Sequence, residues 1–410
     1  MRSISSNVPI VNVTVSAYTI PTATSPESDG TAVWTSTTMV LVDIEAGGTH
    51  GIGWTYEDAA AGRLIADQLA DVIRGENALD TRALWCKMVA AVRNTGRGGL
   101  ASYAIGAVDV ALWDLRARLM DTALCDLMGI VRTAVPIYGS GGFTSYDVAT
   151  LQRQLEGWAA AGLTAVKMKV GRDHAADPAR VAAARSAIGP DCKLFVDGNG
   201  GYSVEEAIAI AFAFDEHDVV WFEQPVDHMD LAGTERVRAH APPGRSPHWP
   251  RSHARRPPPA ATDPTERRPR APPPPPAAAP PPPPPPPGMA ITSGEYIGDT
   301  ARAAEVARAV DVLQADATRC GGYTGFLAID GFCEVSRKPL SSHCGPMLHL
   351  HVAASALRLR HMEYFYDHVR IERMLFDGCI EPVDGCLHPD RTRVGHGLAL
   401  KRADAERYRV

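Results

Sequence analysis

TAVKMKVGRD, residues 164–173, places two lysines, Lys167 and Lys169, in an otherwise apolar run of strand type. Side chains on a strand alternate faces with a period of two, so Lys167 and Lys169 point one way while Val166, Met168 and Val170 point the other. If the strand is buried, two ammonium groups share one pocket. Burial and like charge then both push a lysine pKa down, toward the range in which the amine acts as a base. An edge strand with two solvated lysines has the same local pattern, and the downstream segments decide between the readings.

Those segments are short apolar runs that each end in one polar side chain. KLFVDGN (193–199) ends in Asp197 and Asn199, VVWFEQP (219–225) carries Glu223, and AITSGE (290–295) ends in Glu295. DVLQADA (311–317) carries Asp316, PLSSH (339–343) ends in His343, and HMEYFY (361–366) carries Glu363. Each reads as a buried parallel strand, and most of the stretches between them read as helices. Repeated strand–helix units with polar residues at the strand ends describe an α/β fold, a (β/α) TIM-type barrel with its active site at that face.

The chain has 410 residues, 45% of them hydrophobic, enough for one large core and one smaller core. A formal net charge of −6 argues against nucleic acid as the main partner, which selects a basic face. The first residues, MRSISSNVPIVNVTVSAY, read as a strand and not as a signal peptide. No run approaches the roughly 18 apolar residues of a membrane span. The eight cysteines are scattered without a CxxC pair, which fits reduced thiols in a cytoplasm. Cys344 follows His343, and strand alternation sends the two side chains to opposite faces, which argues against a thiol nucleophile.

Residues 1–130 read as an α+β capping domain. Strands are expected over 8–20 and 34–46, separated by the polar loop PTATSPESDG, and GIGWTYEDAAAG (51–62) reads as a second loop with Trp54 and Tyr56 at its tip. In residues 102–120, Ile105, Val108, Leu112, Leu115 and Leu119 mark one buried helical face. The barrel occupies 131–377, beginning at VPIYGSGG. A helical stripe of Val148, Leu151, Leu155 and Trp158 follows, and Ser203 and Glu206 form a capping box further on. Residues 378–410 complete the capping domain.

Residues 245–288 break the pattern, with no apolar periodicity and eight consecutive prolines from Pro280 to Pro287. Proline lacks the amide donor that a helix or central strand needs, so the expected state is disordered or polyproline II. Glu223 and Glu295 are 72 residues apart, against 28 from Lys169 to Asp197 and 26 from Asp197 to Glu223. Without 44 residues the step from Glu223 to Glu295 also becomes 28, so the segment reads as an insertion between a helix and the next strand, away from the chemistry. A PxxP-type docking tract is the functional alternative, but the composition does not specify a partner.

Asp197, Glu223 and Glu295 bring hard oxygen ligands to one point, which suits Mg²⁺; zinc prefers Cys or His, which these three strand ends lack. Three acids that each cap the following helix are the structural alternative, but caps need not converge. Asp316 against His343 fixes the tautomer of the imidazole and raises its basicity. His349 and His351 read as core histidines. A lysine on one side, a histidine–aspartate pair on the other and a metal suit proton abstraction from carbon next to a carboxylate, with the metal holding the developing enediolate.

The motifs VKMKVGRD, FVDGN, WFEQP, SGEY, QADATRCGG, SSHC and HMEY, with ALWDLRARL before them, resemble the enolase superfamily, in particular its mandelate racemase subgroup. The resemblance covers essentially all of the chain except 245–288. It implies Asp197, Glu223 and Glu295 as Mg²⁺ ligands and Lys169 as one base. Lys167 beside it would contact the substrate carboxylate and lower the Lys169 pKa. It further implies His343 as the opposite acid/base, Asp316 as its partner, and Asn199 and Glu363 as substrate contacts. The loops around Ser25 to Gly30 and Trp54 to Tyr56 would close over the substrate. The implied reaction is dehydration of a sugar acid to a 2-keto-3-deoxy acid, with racemisation, epimerisation or lactone cycloisomerisation as alternatives, in a symmetric homo-oligomer. A binding-only or inactive barrel is the reading outside enzymology, and a shift in register next to the insertion would put Glu295 in doubt.

Overall fold

The computed structural model describes residues 7–24, 26–242 and 288–410. The expected insertion falls almost wholly outside them. At the N-terminus, β1 (Ile10–Pro21) is followed by two short paired strands, β2 (Glu27–Ser28) and β3 (Val33–Trp34). β4 (Ser36–Ala46) then runs antiparallel to β1, as expected, and β5 (Thr49–Tyr56) pairs with β4.

The segment containing Trp54 and Tyr56 is therefore an edge strand of the capping sheet, and the expectation of a loop over the substrate is wrong. The glycines that suggest a loop have a packing reason. A Cβ on Gly51 would lie 2.4 Å from the backbone nitrogen of Leu115, and one on Gly53 would lie 2.4 Å from the carbonyl oxygen of Ala107. The helix Leu100–Leu119 lies directly on these residues. It is buried on nearly every side and not on a single stripe, because its other faces meet further helices and the barrel. Asp109 of this helix accepts from the backbone N–H of Thr324 at 2.9 Å and from its hydroxyl at 2.7 Å, and Trp113 Nε1 donates to the same hydroxyl oxygen.

Eight parallel strands follow: β6 (Val135–Gly141), β7 (Ala165–Lys169), β8 (Lys193–Asp197), β9 (Val219–Glu223), β10 (Ala290–Ser293), β11 (Val312–Ala315), β12 (Leu340–Ser342) and β13 (Leu359–Phe365). Each pairs with its neighbours, and β13 closes on β6. The period of two sorts the side chains. Val166, Met168, Leu194, Val196 and Phe222 face the surrounding helices, while Tyr138, Phe195, Trp221 and His361 fill the interior as an aromatic layer with ring centroids 4.8–6.3 Å apart. Lys167 lies over the Tyr138 ring, so the barrel is plugged below and polar above.

The helix after β6 spans Val148–Ala160 with Leu151 and Leu155 buried, and Ser203 and Glu206 form the expected capping box. Past the barrel come β14 (Phe376–Asp377), β15 (Cys386–Leu387) and β16 (Ala399–Leu400). β15 runs antiparallel to β6, while His396 Nε2 meets the Ile52 carbonyl oxygen at 3.0 Å and Arg402 pairs with Asp43 at 2.6 Å on the capping sheet. Among the described residues, no helix is long and apolar enough to cross a membrane.

The flanks of the insertion meet: the Met289 N–H donates to the Pro242 carbonyl oxygen at 3.3 Å. This junction lies at the start of β10, opposite the end that leads to Glu295. β10 keeps its register, with Thr292 beside Glu223. Removing residues 243–287 should therefore leave a cooperative fold with a urea midpoint no lower than that of the full chain. Each halving of a connection lowers its closure cost by about 0.6 kcal/mol. A shortened chain that fails to fold would show that the segment is structural.

Burial raises the Asp109 carboxyl to about 7, outweighing its hydrogen bonds from Thr324. Its folded pKa lies above its unfolded value of 3.8, so the folded state holds the extra proton and stability falls as pH rises between about 4 and 7. The slope is at most about 1.4 kcal/mol per pH unit. Asp109→Asn should flatten urea midpoints over that window, and an unchanged slope would remove Asp109 as its source.

Candidate active site

The C-terminal ends of the barrel strands gather the charged residues. Asp197 and Glu223 are the last residues of the third and fourth strands, and Glu295 lies two residues past the fifth. All three are buried, and one carboxylate oxygen from each lies within 4.8 Å of the others. The acids therefore converge and do not disperse to separate helix caps. Burial, followed by the charge of Asp197, pushes Glu223 up to about 7. More negative charge is packed here than the nearby lysines balance. Three carboxylate donors with uncompensated charge fit a hard divalent cation such as Mg²⁺.

Lys169, at the end of the second strand, donates to Asp197 Oδ2 at 2.5 Å. Burial lowers its pKa, but the carboxylates led by Asp197 outweigh both burial and Lys167, so it lies above the ordinary lysine value. The expected depression is not found, because lysine–carboxylate pairing exceeds lysine–lysine repulsion. Lys167 also departs from its expected place. It is fully buried one step deeper, bonded to Glu223 at 2.7 Å and Glu363 at 2.8 Å, with Asp197 Oδ2 at 3.5 Å. Its ammonium group is engaged with these acids beneath the mouth.

On the far side of the acids, His343 Nδ1 lies 2.8 Å from Asp316 Oδ2, and Asp316 Oδ1 accepts from the N–H and hydroxyl of Thr318. Burial lowers the imidazole pKa, but Cys344, Glu295 and Asp316 together hold it well above the usual range. Its Nε2 lies 3.0 Å from Glu295 Oε2. Lys169 and His343 thus stand on the second and seventh strands, separated by the three acids along one arc of the barrel and by Glu363 on the other. His349 is a core residue, as expected: it accepts from Ala317 N–H at 2.7 Å and meets the Gly345 carbonyl oxygen at 2.9 Å, bracing the turns that carry Asp316 and Cys344.

Glu363 accepts from Ser140 Oγ at 2.6 Å and from Cys344 N–H at 2.9 Å. Asn199 has a left-handed φ of 46°, and its buried Oδ1 has no hydrogen-bond partner among the described residues. Thr31 donates to the Asn199 carbonyl oxygen at 3.2 Å, and Gly30 packs on Gly198, so this capping turn lies on the barrel mouth. Ser25 falls outside the described residues. Trp54 is wholly buried against Phe376 and His396 in the capping core. Tyr56 is buried and stacks on His368, whose Nδ1 accepts from Gly345 N–H, so it supports a turn of the site and does not cover it.

One residue was missed and another was misplaced. Arg319 lies 3.7 Å from Glu295 and 3.8 Å from Asp316, over the rings of Tyr103 and Tyr296. Its position three residues after Asp316 in QADATRCGG was the available signal. Cys344 does not face away from His343: its Sγ lies 3.2 Å from Nε2, because the chain has left β12 and turned at a φ of 50°. Strand alternation does not extend through such a turn.

Residues 10–129 match the family model for the mandelate racemase / muconate lactonizing enzyme N-terminal domain, and residues 150–244 with 287–405 match the enolase C-terminal domain-like model. The second match skips the segment that the strand spacing marks as inserted. A mandelate racemase/muconate lactonizing enzyme-like protein from Rubrobacter xylanophilus is 43% identical, with a TM-score of 0.86 over 98% of this chain and 100% of its own. The L-talarate/galactarate dehydratase from Salmonella typhimurium LT2, solved with Mg and L-lyxarohydroxamate, is 25% identical, with a TM-score of 0.81 over 100% of this chain and 95% of its own. A 3,6-anhydro-alpha-L-galactonate cycloisomerase from Streptomyces coelicolor is 28% identical over 95% of this chain and 97% of its length. With both domains matched and a closed barrel beneath a cap, the chain belongs to the mandelate racemase / muconate lactonizing enzyme group of the enolase superfamily.

Proposed function

We propose that the chain abstracts the proton next to the carboxylate of a sugar acid and eliminates water to give a 2-keto-3-deoxy acid. The observation that carries this reading is the placement of Lys169 and the His343–Asp316 pair on either side of three convergent carboxylates. Asp197, Glu223 and Glu295 would hold Mg²⁺, which when bound supplies the positive charge that stabilises an anion developing beside a carboxylate.

Lys169 Nζ, in its uncharged form, takes the α proton. His343, held through Nδ1 by Asp316, uses Nε2 to protonate the β hydroxyl, which leaves as water, and the resulting enol tautomerises to the ketone. Asn199 Oδ1 and Glu363 are polar contacts for substrate hydroxyls. Lys167 is a positioning residue that holds Glu223 and Glu363 in place. The dehydratase from Salmonella supports this outcome. The cycloisomerase from Streptomyces, matched over nearly its whole length, supports lactone cycloisomerisation as the second reading, which starts from the same proton transfer. Product identity separates the two.

Proton NMR of a panel of mono- and diacid sugars in D₂O with Mg²⁺ should show α-proton exchange or a 2-keto-3-deoxy product for at least one compound. Lys169→Ala and His343→Ala should each lower the rate by about 10²–10⁴-fold, the range for losing a general acid or base. Full exchange in both variants would eliminate the proposed pair. Mg²⁺ at about 100 times its Kd should stabilise the protein by about 2.7 kcal/mol. Thermal melts that shift equally in the wild type and in Asp197→Ala would place the ion elsewhere.

A further inference from the structure

We propose that His343, Cys344 and Glu363 form a second metal site, distinct in chemistry from the three-carboxylate cluster, that takes Zn²⁺ and thereby withdraws His343 from proton transfer. The three side chains are buried, and one ligand atom from each lies within 4.8 Å of the others. His343 Nε2 is 3.2 Å from Cys344 Sγ and 3.9 Å from Glu363 Oε2. Zinc bonds of about 2.0–2.3 Å arranged tetrahedrally put neighbouring ligand atoms about 3.3–3.7 Å apart, so a small adjustment seats the ion.

The backbone and the surrounding groups prepare each ligand. Cys344 turns at a φ of 50°, which brings Sγ to the imidazole, and its N–H holds Glu363 Oε2 at 2.9 Å. The other Glu363 oxygen, Oε1, is occupied by Lys167 at 2.8 Å and Ser140 at 2.6 Å, so Oε2 is the one left toward the cysteine. Asp316 engages Nδ1 of His343 and leaves Nε2 for the ion, the carboxylate–histidine–metal arrangement common around zinc. Glu295 Oε2, 3.0 Å from Nε2, borders the remaining position.

Sulfur and imidazole select a softer ion than an all-carboxylate cluster does. Binding needs no oxidant or reductant: the Cys344 thiol proton and the proton that His343 carries on Nε2 as the proposed acid both go to solvent, the thiolate and Nε2 donate to the ion, and no other bond changes. The blocking effect rests on the acid/base reading of His343, whereas the site itself does not.

The test uses the full chain in excess Mg²⁺, titrated with Co²⁺ as a spectroscopic substitute for Zn²⁺. A sulfur-to-cobalt charge-transfer band in the near ultraviolet should saturate at one ion per chain and disappear when Zn²⁺ is added. Cys344→Ser should lose the band, and Cys86→Ser, which changes an exposed cysteine, should keep it. X-ray absorption at the zinc edge of the wild-type protein needs no variant and should show one sulfur neighbour. Absence of the band, its persistence in Cys344→Ser, or oxygen and nitrogen neighbours alone would overturn the site. One equivalent of Zn²⁺ should also lower formation of the 2-keto-3-deoxy product by about 10²-fold, the scale of losing one acid/base group. Undiminished product formation at a saturated band would instead overturn the blocking role together with the acid/base reading of His343, leaving the zinc site standing.

Discussion

A wholly buried ammonium group, Lys167, sets the conditions for everything above it in the barrel. Moving such a charge out of water costs several kcal/mol, and the cost is offset only by close, well-oriented counter-charges. Glu223 and Glu363 supply them at 2.7 and 2.8 Å, with Asp197 at 3.5 Å. Those acids come from three different strands, so one amine ties the third, fourth and eighth strands together from the second. The aromatic layer lies directly beneath, so these acids are the charged partners of the ammonium group at that depth.

This arrangement explains why neighbouring side chains on one strand do different work. Lys167 and Lys169 share a face, but they are two residues apart and so differ in depth by about 6.6 Å along the strand. The deeper lysine is spent on holding acids in place. The shallower one reaches the mouth, where Asp197 is its nearest partner. Glu363 is likewise split, with one oxygen facing the buried lysine and the other facing Cys344 and the cavity.

The barrel was legible because its signals are local and repeated: strand-sized apolar runs, a functional side chain at each end, and a near-constant spacing that exposed the insertion. Asp197, Glu223, Glu295, Asp316 and His343 followed from that pattern, since a parallel barrel brings its strand ends to one face. Depth did not, because alternation defines a face and not a height, so the burial of Lys167 a step beneath Lys169 was not legible. Trp54 and Tyr56 were misread because glycine signals both a turn and close packing, and only the helix Leu100–Leu119 reveals which applies. Cys344 required knowing where β12 ends, a boundary that decides whether alternation still holds.

The charges at and just beneath the mouth also bear on which molecules it can accept. The cationic groups are Lys167, Lys169, His343 and Arg319, and the anionic groups are Asp197, Glu223, Glu295, Asp316 and Glu363. With Lys169 uncharged, as a base must be, and the others ionised, they leave two negative charges in excess, which repels a carboxylate. One divalent cation among the acids would cancel that excess. Recognition of an acid substrate would thus depend on filling the three-carboxylate cluster, because the same ion that would stabilise charge at the reacting carbon would let the cavity hold an anion.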